Sequence, residues 1–498
     1  MTEVLIVGAG PTGLTLACDL ARRGVAVRLV EKAARPATAS RAKTIQPRTL
    51  EVADDLGVAE RLLELGAVHV PTRHYDRARV VSEAVEAAVG VGPDPGFPYP
   101  APLWLGQPQL EAVLRDRLEE LGGRVEPGSE VTALGQDADA VIVTVRTAAD
   151  IEMIRARYVV GCDGGRGAVR REAGLTLRGT RYGRHRWYLG DVRVDGLDRH
   201  CQHVWMSPED GILSLFPLPG TDIFQFQASI PAEDENPAEP SLELYRRIFT
   251  DRAGVPGVSL HAAGWAALYR INVCMVDRYR AGRVFVAGDA AHIHSPGGGQ
   301  GMNTGVQDAH NLGWKLAAVL AGADAALLDT YEQERLPVAR AVLEDSTARL
   351  HMVMRAAEEG DGAHAQRHLT DDFTTGLTIA YPGSALSHRG SGPARRVDAG
   401  DRAPDARYVD SAGRPARLFD VFRGPQWTLL AFGATDVRSA GSLHVHPVDD
   451  PGGEVRRAYD VTDDELVLVR PDGYVAGRGS AALDVWRRAH GVALATQA

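Results

Sequence analysis

The chain has 498 residues, of which 44% are hydrophobic and 24% charged, and its formal net charge is −10. This length exceeds one ordinary domain, so we expect two or three domains with ample apolar material for their cores. The acidic balance argues against nucleic acid as the main partner. No apolar run reaches the length of a membrane span, and the N-terminus enters an apolar strand without a leader sequence. We therefore expect a cytoplasmic protein with no membrane partner.

The cysteines are few and widely spaced: Cys18, Cys162, Cys201 and Cys274. Their spacing matches neither a CxxC metal motif nor a disulfide framework. We expect free thiols in a reducing compartment.

Residues 3–31 predict a β-α-β unit with the pattern G-x-G-x-x-G between the first strand and the helix. Gly8 permits the tight turn, Gly10 lets the backbone approach a pyrophosphate, and Gly13 allows close packing of the helix on the sheet. Glu31 ends the second strand, where a ribose hydroxyl would bind. This unit predicts a bound dinucleotide with an adenosine ribose.

No second fingerprint of this kind follows along the chain. Segment 90–102 contains G-x-G, but its prolines oppose a helix start and predict a loop. One dinucleotide therefore has a dedicated fold, and a second would bind transiently. This favours a tightly held FAD over NAD.

The middle of the chain predicts two kinds of sheet. A helix over 109–123 and further strands lead to a turn at Asp163-Gly164, and residues 283–289 form another buried strand. Between them, residues from about 180 to 275 alternate apolar and polar side chains in short runs, which indicates a separate antiparallel sheet.

The segment GDAAHIHSPGGGQGMN, residues 288–303, leaves two interpretations. Asp289, His292 and His294 are a familiar ligand set for zinc or iron. Alternatively, the glycine-rich loop leads into a helix and aims its backbone N–H groups at an anionic or planar ligand. The irregular backbone expected after Pro296, and the lack of a nearby Glu or Cys ligand, favour the second interpretation and no metal.

The last part of the chain predicts helices to about residue 358 and then a linker over 381–404. The final hundred residues predict a small α/β domain.

Three motifs together resemble a known family. They are GAGPTG with Glu31, CDGGRGAVRR at 162–171, and RVFVAGDAAHIHSPGGGQGMNTGVQDAHNLGWKLA at 283–317. The chain resembles the FAD-dependent aromatic hydroxylases, the single-component flavoprotein monooxygenases typified by p-hydroxybenzoate hydroxylase. The resemblance is strongest to the actinomycete branch that tailors polyketide antibiotics, including the rifamycin-type monooxygenases, and it covers roughly the first 345 residues.

The resemblance implies an α/β fold in three parts. A Rossmann-like FAD-binding domain would comprise 1–175 and 270–390, and an antiparallel substrate-binding sheet would comprise 176–269. Residues 395–498 resemble the thioredoxin-like domain that many of these enzymes carry. No cysteine follows Cys274, so this domain cannot perform thiol–disulfide chemistry. A packing or oligomerisation role is expected, which leaves a homodimer open.

The resemblance also assigns residues to the ADP half of FAD. Gly8, Gly10, Gly13 and Glu31 would hold it, and Arg41 would lie near the pyrophosphate. The FAD would be bound tightly but not covalently.

Two further motifs would contact the dinucleotides. Gln107 matches a glutamine that contacts FAD, although it follows Gly106 where the family usually has proline. Asp163 and Gly164 match the DG motif, which is implicated in both FAD and NAD(P)H interactions.

The 288–303 segment would hold the flavin itself. Asp289 would hydrogen-bond the ribityl chain, and Pro296 would close over the flavin from one side. His294 would approach the flavin or the substrate edge. The isoalloxazine would be lined by Gly301, Met302 and Asn303.

The reaction implied by the resemblance is a hydroxylation. NADPH or NADH would reduce FAD, O2 would add to give a C4a-hydroperoxyflavin, and its distal oxygen would attack an aromatic, polycyclic phenolic substrate. Phe216 and Phe226 are the predicted substrate contacts. No phenol-activating base is identified, although four residues are open to that role: His185, His203, Tyr188 and Tyr269.

Other activities remain open at this point. A Baeyer–Villiger or epoxidising monooxygenase would share every motif. A flavin halogenase is disfavoured by the lack of a W-x-W-x-I-P segment. A non-catalytic flavin-binding partner protein would have no need of the DG motif.

Overall fold

The computed structural model describes residues 2–85, 96–359, 371–389, 395–433, 435–462 and 464–490. The strands of these residues are β1 (Thr2–Val7), β2 (Val27–Glu31), β3 (Thr44–Ile45), β4 (Pro71–Asp76), β5 (Arg79–Val85), β6 (Leu103–Trp104), β7 (Val125–Pro127), β8 (Glu130–Gln136), β9 (Val141–Arg146), β10 (Ile151–Gly161), β11 (Arg178–Asp195), β12 (Gln202–Ser207), β13 (Gly211–Pro217), β14 (Ile223–Ile230), β15 (Ser259–Met275), β16 (Arg280–Ala281), β17 (Val284–Val286), β18 (His292–Ile293), β19 (Arg407–Val409), β20 (Pro415–Arg417), β21 (Trp427–Phe432), β22 (Leu443–Pro447), β23 (Glu465–Val469) and β24 (Val475–Arg478). The α-helices are α1 (Pro11–Arg22), α2 (Pro47–Asp55), α3 (Ala59–Leu65), α4 (Gln107–Glu120), α5 (Ala168–Glu172), α6 (Leu242–Arg252), α7 (Gln300–Leu320), α8 (Asp329–Glu359), α9 (Leu418–Phe422), α10 (Glu454–Ala458) and α11 (Ala481–Ala489).

The first sheet is the predicted dinucleotide-binding sheet. Its strand order is β16-β17-β10-β1-β2-β7, and β1 pairs in parallel with both β2 and β10. A parallel sheet of this kind is covered on both faces, so residues 4–7 of its central strand β1 are apolar; Val4, Leu5 and Ile6 are fully buried. The helix α1 begins at Pro11, directly beyond the carboxyl end of β1. The β-α-β prediction is confirmed.

The second sheet is largely antiparallel and broader than predicted. Its order is β18-β15-β11-β14-β13-β12-β4-β5. It therefore takes strands from residues 71–85 and from His292–Ile293, both outside the predicted range 176–269. The β4–β12 pair joins segments that are distant in sequence, and no local pattern of residues reports such a pairing. The β18 strand carries the 288–303 segment to the edge of this sheet.

Glycines allow α1 and α7 to pack closely near the first sheet. A Cβ at Gly13 would lie 1.9 Å from the carbonyl oxygen of Gly8, and one at Gly305 would lie 2.4 Å from Oγ1 of Thr12. A Cβ at Gly288 would also approach Thr12, at 2.5 Å from its Oγ1. Contacts this short exclude any side chain without displacing a neighbour. We call the contact of Thr12 of α1 with Gly305 of α7 and with Gly288 the glycine seam.

The C-terminal domain has a four-stranded sheet of order β22-β21-β23-β24. Its β21 is parallel to β22 and antiparallel to β23, as expected of the thioredoxin-like arrangement. The predicted linker over 381–404 is not a free connection in its described parts. Tyr381 is buried and donates its backbone N–H to the carbonyl of Gly400, and the backbone N–H of His388 bonds the carbonyl of Ala476. Of the described helices, none is both long and apolar enough to cross a bilayer.

A buried ionic cluster fixes the C-terminal domain to α7 and α8. Arg470, which follows β23, donates to both carboxylate oxygens of Glu334 on α8, at 2.6 and 2.9 Å. Lys315 and Asn311 of α7 each donate to the same carboxylate at 2.7 Å. Burial alone would raise the pKa of Glu334, but the charges of Arg470 and Lys315 outweigh it and lower that pKa. Glu334 is therefore ionised at neutral pH and holds two buried cations.

We expect the substitution Glu334→Gln to lower the free energy of unfolding by about 3 kcal/mol, because it removes the carboxylate that pairs with the buried Lys315 and leaves Arg470 with Asp472 as its remaining carboxylate partner. Urea unfolding followed by circular dichroism measures this change. The control is Glu243→Gln, since the Glu243 side chain is 82% exposed and its closest ion-pair distance, to Arg246, is 3.9 Å. Equal stability of the two variants would contradict the proposed anchoring role.

Candidate functional site

One continuous cavity of about 2040 Å³ extends from the carboxyl edge of the first sheet to the face of the second. Single-ligand sites reach roughly 1,000 Å³, so this cavity has room for a dinucleotide and a second molecule. The predicted cofactor residues that line it are Gly8, Gly10, Glu31, Arg41, Gln107, Asp163, Gly164, Asp289, Gly301 and Met302.

The start of α1 forms one end of the cavity. Its first turn has no side-chain cap, so its backbone N–H groups are available to an anion. A Cβ at Gly10 would meet no atom within 4 Å and would project into the open space. Glu31 accepts hydrogen bonds from the N–H groups of Ala9 and Ala33, both at 2.9 Å, which fixes its carboxylate beside this turn. Gly13 does not line the cavity, because it packs beneath Gly8.

The DG turn lies beside this end and carries an unpaired polar atom. Oδ2 of Asp163 accepts from the N–H of Val169 at 3.1 Å, whereas its buried Oδ1 has no partner. Burial raises the pKa of Asp163. This oxygen is enclosed beside Gly161 and Gly167, so the carboxylate fixes the shape of the DG turn, whose residues Asp163 and Gly164 line the cavity.

Arg170 joins the DG turn to the loop that carries Asp289, a role that the sequence reasoning missed. Its guanidinium donates to the carbonyls of Gly165 at 2.8 Å and Ala290 at 3.2 Å. Arg170 lies six residues after Gly164 and is buried. The sequence CDGGRGAVRR does not distinguish Arg170 from the neighbouring arginines, and the fold shows that Arg170 is buried.

Residues 289–302 form the middle of the cavity. The carboxylate of Asp289 is open to the cavity but enclosed by its walls, and this desolvation raises its pKa. Pro296, Gly301 and Met302 line the same region, where α7 begins without a side-chain cap. The N-terminal N–H groups of α7 therefore face the cavity, as those of α1 do.

Asn303 has a different position from the predicted flavin contact. Its side chain accepts from the N–H of Gln46 at 2.8 Å and donates to the carbonyls of Thr44 at 3.0 Å and Gly299 at 2.8 Å. Asn303 is buried and is not among the lining residues of the cavity. Its side chain thus braces the loop instead of facing the ligand space.

The two histidines of the segment are committed to a buried network. Nε2 of His292 lies 2.6 Å from Oδ2 of Asp308, and Nδ1 of His292 lies 2.6 Å from Nε2 of His294. Arg335 donates to the other oxygen of Asp308 at 2.7 Å. Both ring nitrogens of His292 are therefore used, which leaves no lone pair for a metal. His294 lines the cavity, whereas His292 supports the loop.

The second sheet provides an aromatic and apolar wall. Phe216 lines the cavity as predicted, but Phe226 does not: it is fully buried and stacks on Tyr245 with ring centroids 4.4 Å apart. The register explains the difference, because Phe216 pairs with Gln225 and successive residues face opposite sides of a sheet. Phe226 therefore faces away from the cavity and does not contact a ligand there. The wall further includes Trp187, Leu189, Met206, Ile212, Trp265, Tyr269 and Ile271.

Of the four residues considered as bases, Tyr269 lines the cavity. Burial, with a smaller contribution from the charge of Asp289, raises the pKa of Tyr269 to about 12. It is therefore protonated at neutral pH and can donate a hydrogen bond but not accept a proton. His185, His203 and Tyr188 do not line the cavity.

Known proteins resemble this chain over most of its length. Residues 1–346 match the family model described as FAD binding domain, and residues 397–496 match the one described as aromatic-ring hydroxylase, C-terminal. A flavin-dependent monooxygenase of Mycobacteroides abscessus is 44% identical over 479 residues, 95% of this chain and 96% of its own. The 6-methylpretetramide 4-monooxygenase of Streptomyces rimosus is 33% identical over 96% of this chain and 90% of its own. Among solved structures, the flavin-dependent monooxygenase PieE in complex with FAD and substrate has a TM-score of 0.86 at 25% identity, covering 99% of both chains.

We expect Gly10→Val to weaken FAD binding at least tenfold, about 1.4 kcal/mol, because its side chain would occupy the space beside the first turn of α1. The backbone φ of Gly10 is −76°, which valine also adopts, so the thermal midpoint of the apo-protein should not change. Titration of apo-protein with FAD, followed by flavin fluorescence, gives the affinity.

The matched control is Gly135→Val on β8, where a Cβ also meets nothing within 4 Å but lies away from the cavity. It should leave both quantities at wild-type values. Wild-type FAD affinity in Gly10→Val would show that the dinucleotide does not lie against this turn.

Proposed function

The chain belongs to the family of FAD-dependent aromatic-ring hydroxylases, and we propose that it hydroxylates a phenolic, polycyclic substrate of the polyketide type, consuming O2 and NADPH or NADH. It is a flavin-dependent monooxygenase. The observation that carries the proposal is the continuity of one cavity that has the dinucleotide fingerprint at one end and the aromatic wall of the second sheet at the other.

The residues around the first end suit each part of FAD. The uncapped N–H groups after Gly10 would bind the pyrophosphate, and the fixed carboxylate of Glu31 would accept from a ribose hydroxyl. Asp289 would accept from the ribityl chain, and the start of α7 at Gly301 and Met302 would contact the ring. When bound, FAD supplies the electrons and the activation of O2.

The aromatic wall would hold and orient the substrate ring. Trp187, Phe216 and Trp265 present large apolar surfaces to the cavity, which favours a flat, aromatic molecule over a polar one. The same surfaces would exclude water from the region in front of Pro296. The protonated hydroxyl of Tyr269 would donate to a carbonyl or hydroxyl oxygen of the substrate.

The reduced nicotinamide would bind transiently. The sequence has no second strand–glycine–helix fingerprint, so this cosubstrate has no dedicated fold of its own. The DG turn at Asp163 and Gly164 lies open to the cavity and is the proposed contact.

The test is turnover of the FAD-loaded enzyme with 18O2 and a panel of polycyclic phenols, run once with NADPH and once with NADH. We expect at least one phenol to accelerate NADPH oxidation and to gain one 18O on an intact ring, as measured by mass spectrometry and NMR. A parallel reaction in H2 18O with unlabelled O2 should leave the product unlabelled.

A lactone or ring-opened product would move the assignment to Baeyer–Villiger oxidation, and an epoxide would move it to epoxidation. If no phenol accelerated the oxidation of NADPH or NADH or gained label, the proposal that the substrate is a polycyclic phenol would be wrong.

A further inference from the structure

Lys43 lies in an irregular segment whose backbone is fixed from both sides of the cavity. Its carbonyl accepts from the N–H of Leu105 at 3.0 Å, and the carbonyl of Ala42 accepts from Gln107 at 2.9 Å. The next carbonyl, that of Thr44, accepts from Asn303 at 3.0 Å. The Cα of Lys43 therefore has a defined place between α4 and α7.

The residues just before Lys43 are tied to the second sheet. The N–H of Ser40 donates to Asp191 of β11 at 2.9 Å, and the side-chain amide of Gln225 of β14 donates to the Ser40 hydroxyl at 3.0 Å. Ser40, Asp191 and Gln225 are all buried. Because the segment is held at this end too, the direction in which the Lys43 side chain leaves the backbone is set by the fold.

The ammonium group of Lys43 lies over two aromatic rings. Its Nζ is 4.3 Å from the ring centroid of Phe216 and 5.9 Å from that of Trp104, and all three residues line the cavity. Within the described part of the chain, Nζ has no carboxylate partner and no hydrogen-bond acceptor, and no charged group contributes to its pKa. Burial lowers the pKa of Lys43 to about 8, so the group is still mostly protonated at neutral pH.

The half-buried ammonium of Lys43 contacts aromatic rings, and its three N–H donors are available to a hydrogen-bond acceptor on a ligand. Cation–π contact holds an ammonium less strongly than a charge-assisted hydrogen bond does. The lysine stem is flexible and its three N–H donors can turn toward an arriving acceptor. An anionic oxygen beside Phe216 would therefore draw the ammonium away from the rings.

We propose that Lys43 binds an anionic oxygen on the aromatic substrate, so that the site selects rings with an ionised hydroxyl or a carboxylate over their neutral ethers. The inference rests on the proposed function for the identity of the second ligand as an aromatic substrate. It assigns Lys43 a substrate-binding and specificity role and requires no proton transfer by this residue.

The test compares three probes on the oxidised, FAD-loaded enzyme: 2-hydroxyanthraquinone, anthraquinone-2-carboxylate and the neutral 2-methoxyanthraquinone. Dissociation constants come from difference absorbance titrations. For the hydroxyl probe, the same spectra show whether the bound form is the phenolate, which absorbs at longer wavelength than the phenol. Oxidised flavin is neutral, so differences among the probes report on the substrate side.

In the wild type we expect tighter binding of the hydroxyl probe or the carboxylate probe than of the methoxy probe, and a phenolate band at a pH where the free hydroxyl probe is mostly neutral. Lys43→Met should weaken the anionic probe about ten- to a hundredfold and abolish the band. It should change methoxy binding by less than about threefold, and Lys43→Arg should retain the band. Preference for the carboxylate probe alone would identify the anionic group as a carboxylate.

Equal binding of the three probes by the wild type, binding of none of them, or a Lys43→Met variant with wild-type affinities and spectrum would each overturn the proposal. Flavin content is measured in every variant, so that loss of cofactor is distinguished from loss of the anion contact. An enzyme that shows the Lys43-dependent band but incorporates no 18O would contradict the proposed function and leave the anion contact standing.

Discussion

The glycine seam between α1 and α7 is the constraint on which the rest of the structure depends. Thr12 of α1 lies so close to Gly288 and Gly305 that a Cβ at either glycine would fall within 2.5 Å of its hydroxyl. Farther along, a Cβ at Gly313 would meet the carboxylate of Asp19 at 2.3 Å. Because the two helices approach this closely, their uncapped N-termini open on one cavity and give it the positive partial charges that suit FAD.

The 288–303 segment connects this seam to the substrate side. It leaves β17, pairs with β15 through β18, and then enters α7, so one short stretch touches both sheets. The hydrogen-bonded network of His292, Asp308 and Arg335 stabilises the conformation of this segment, and all three residues are buried. A loop fixed in this way can present Asp289 to a ligand without collapsing into the cavity.

The sequence predicted the parts of this arrangement that depend on local chemistry. The fingerprint at 8–13 requires glycines for steric reasons, so the β-α-β unit and the class of its ligand could be predicted from the sequence. Parts that depend on partners distant in sequence could not be predicted: the pairing of 71–85 with the second sheet, the hydrogen bonds of Asn303 within the loop, and the burial of Phe226 on the sheet face away from the cavity. The position of Lys43 on the cavity also depends on such partners, because residues 40–46 are held by hydrogen bonds to Asp191 and Asn303.

The central claim is that both helix N-termini bind the same FAD. Hydrogen–deuterium exchange of the apo-protein and the FAD-reconstituted protein measures this directly, because backbone N–H groups that gain an acceptor exchange more slowly. We expect added protection at residues 8–14 and at 297–303 together, with 427–432 of β21 unchanged. Protection at only one of the two helix starts, or at neither, would contradict the account.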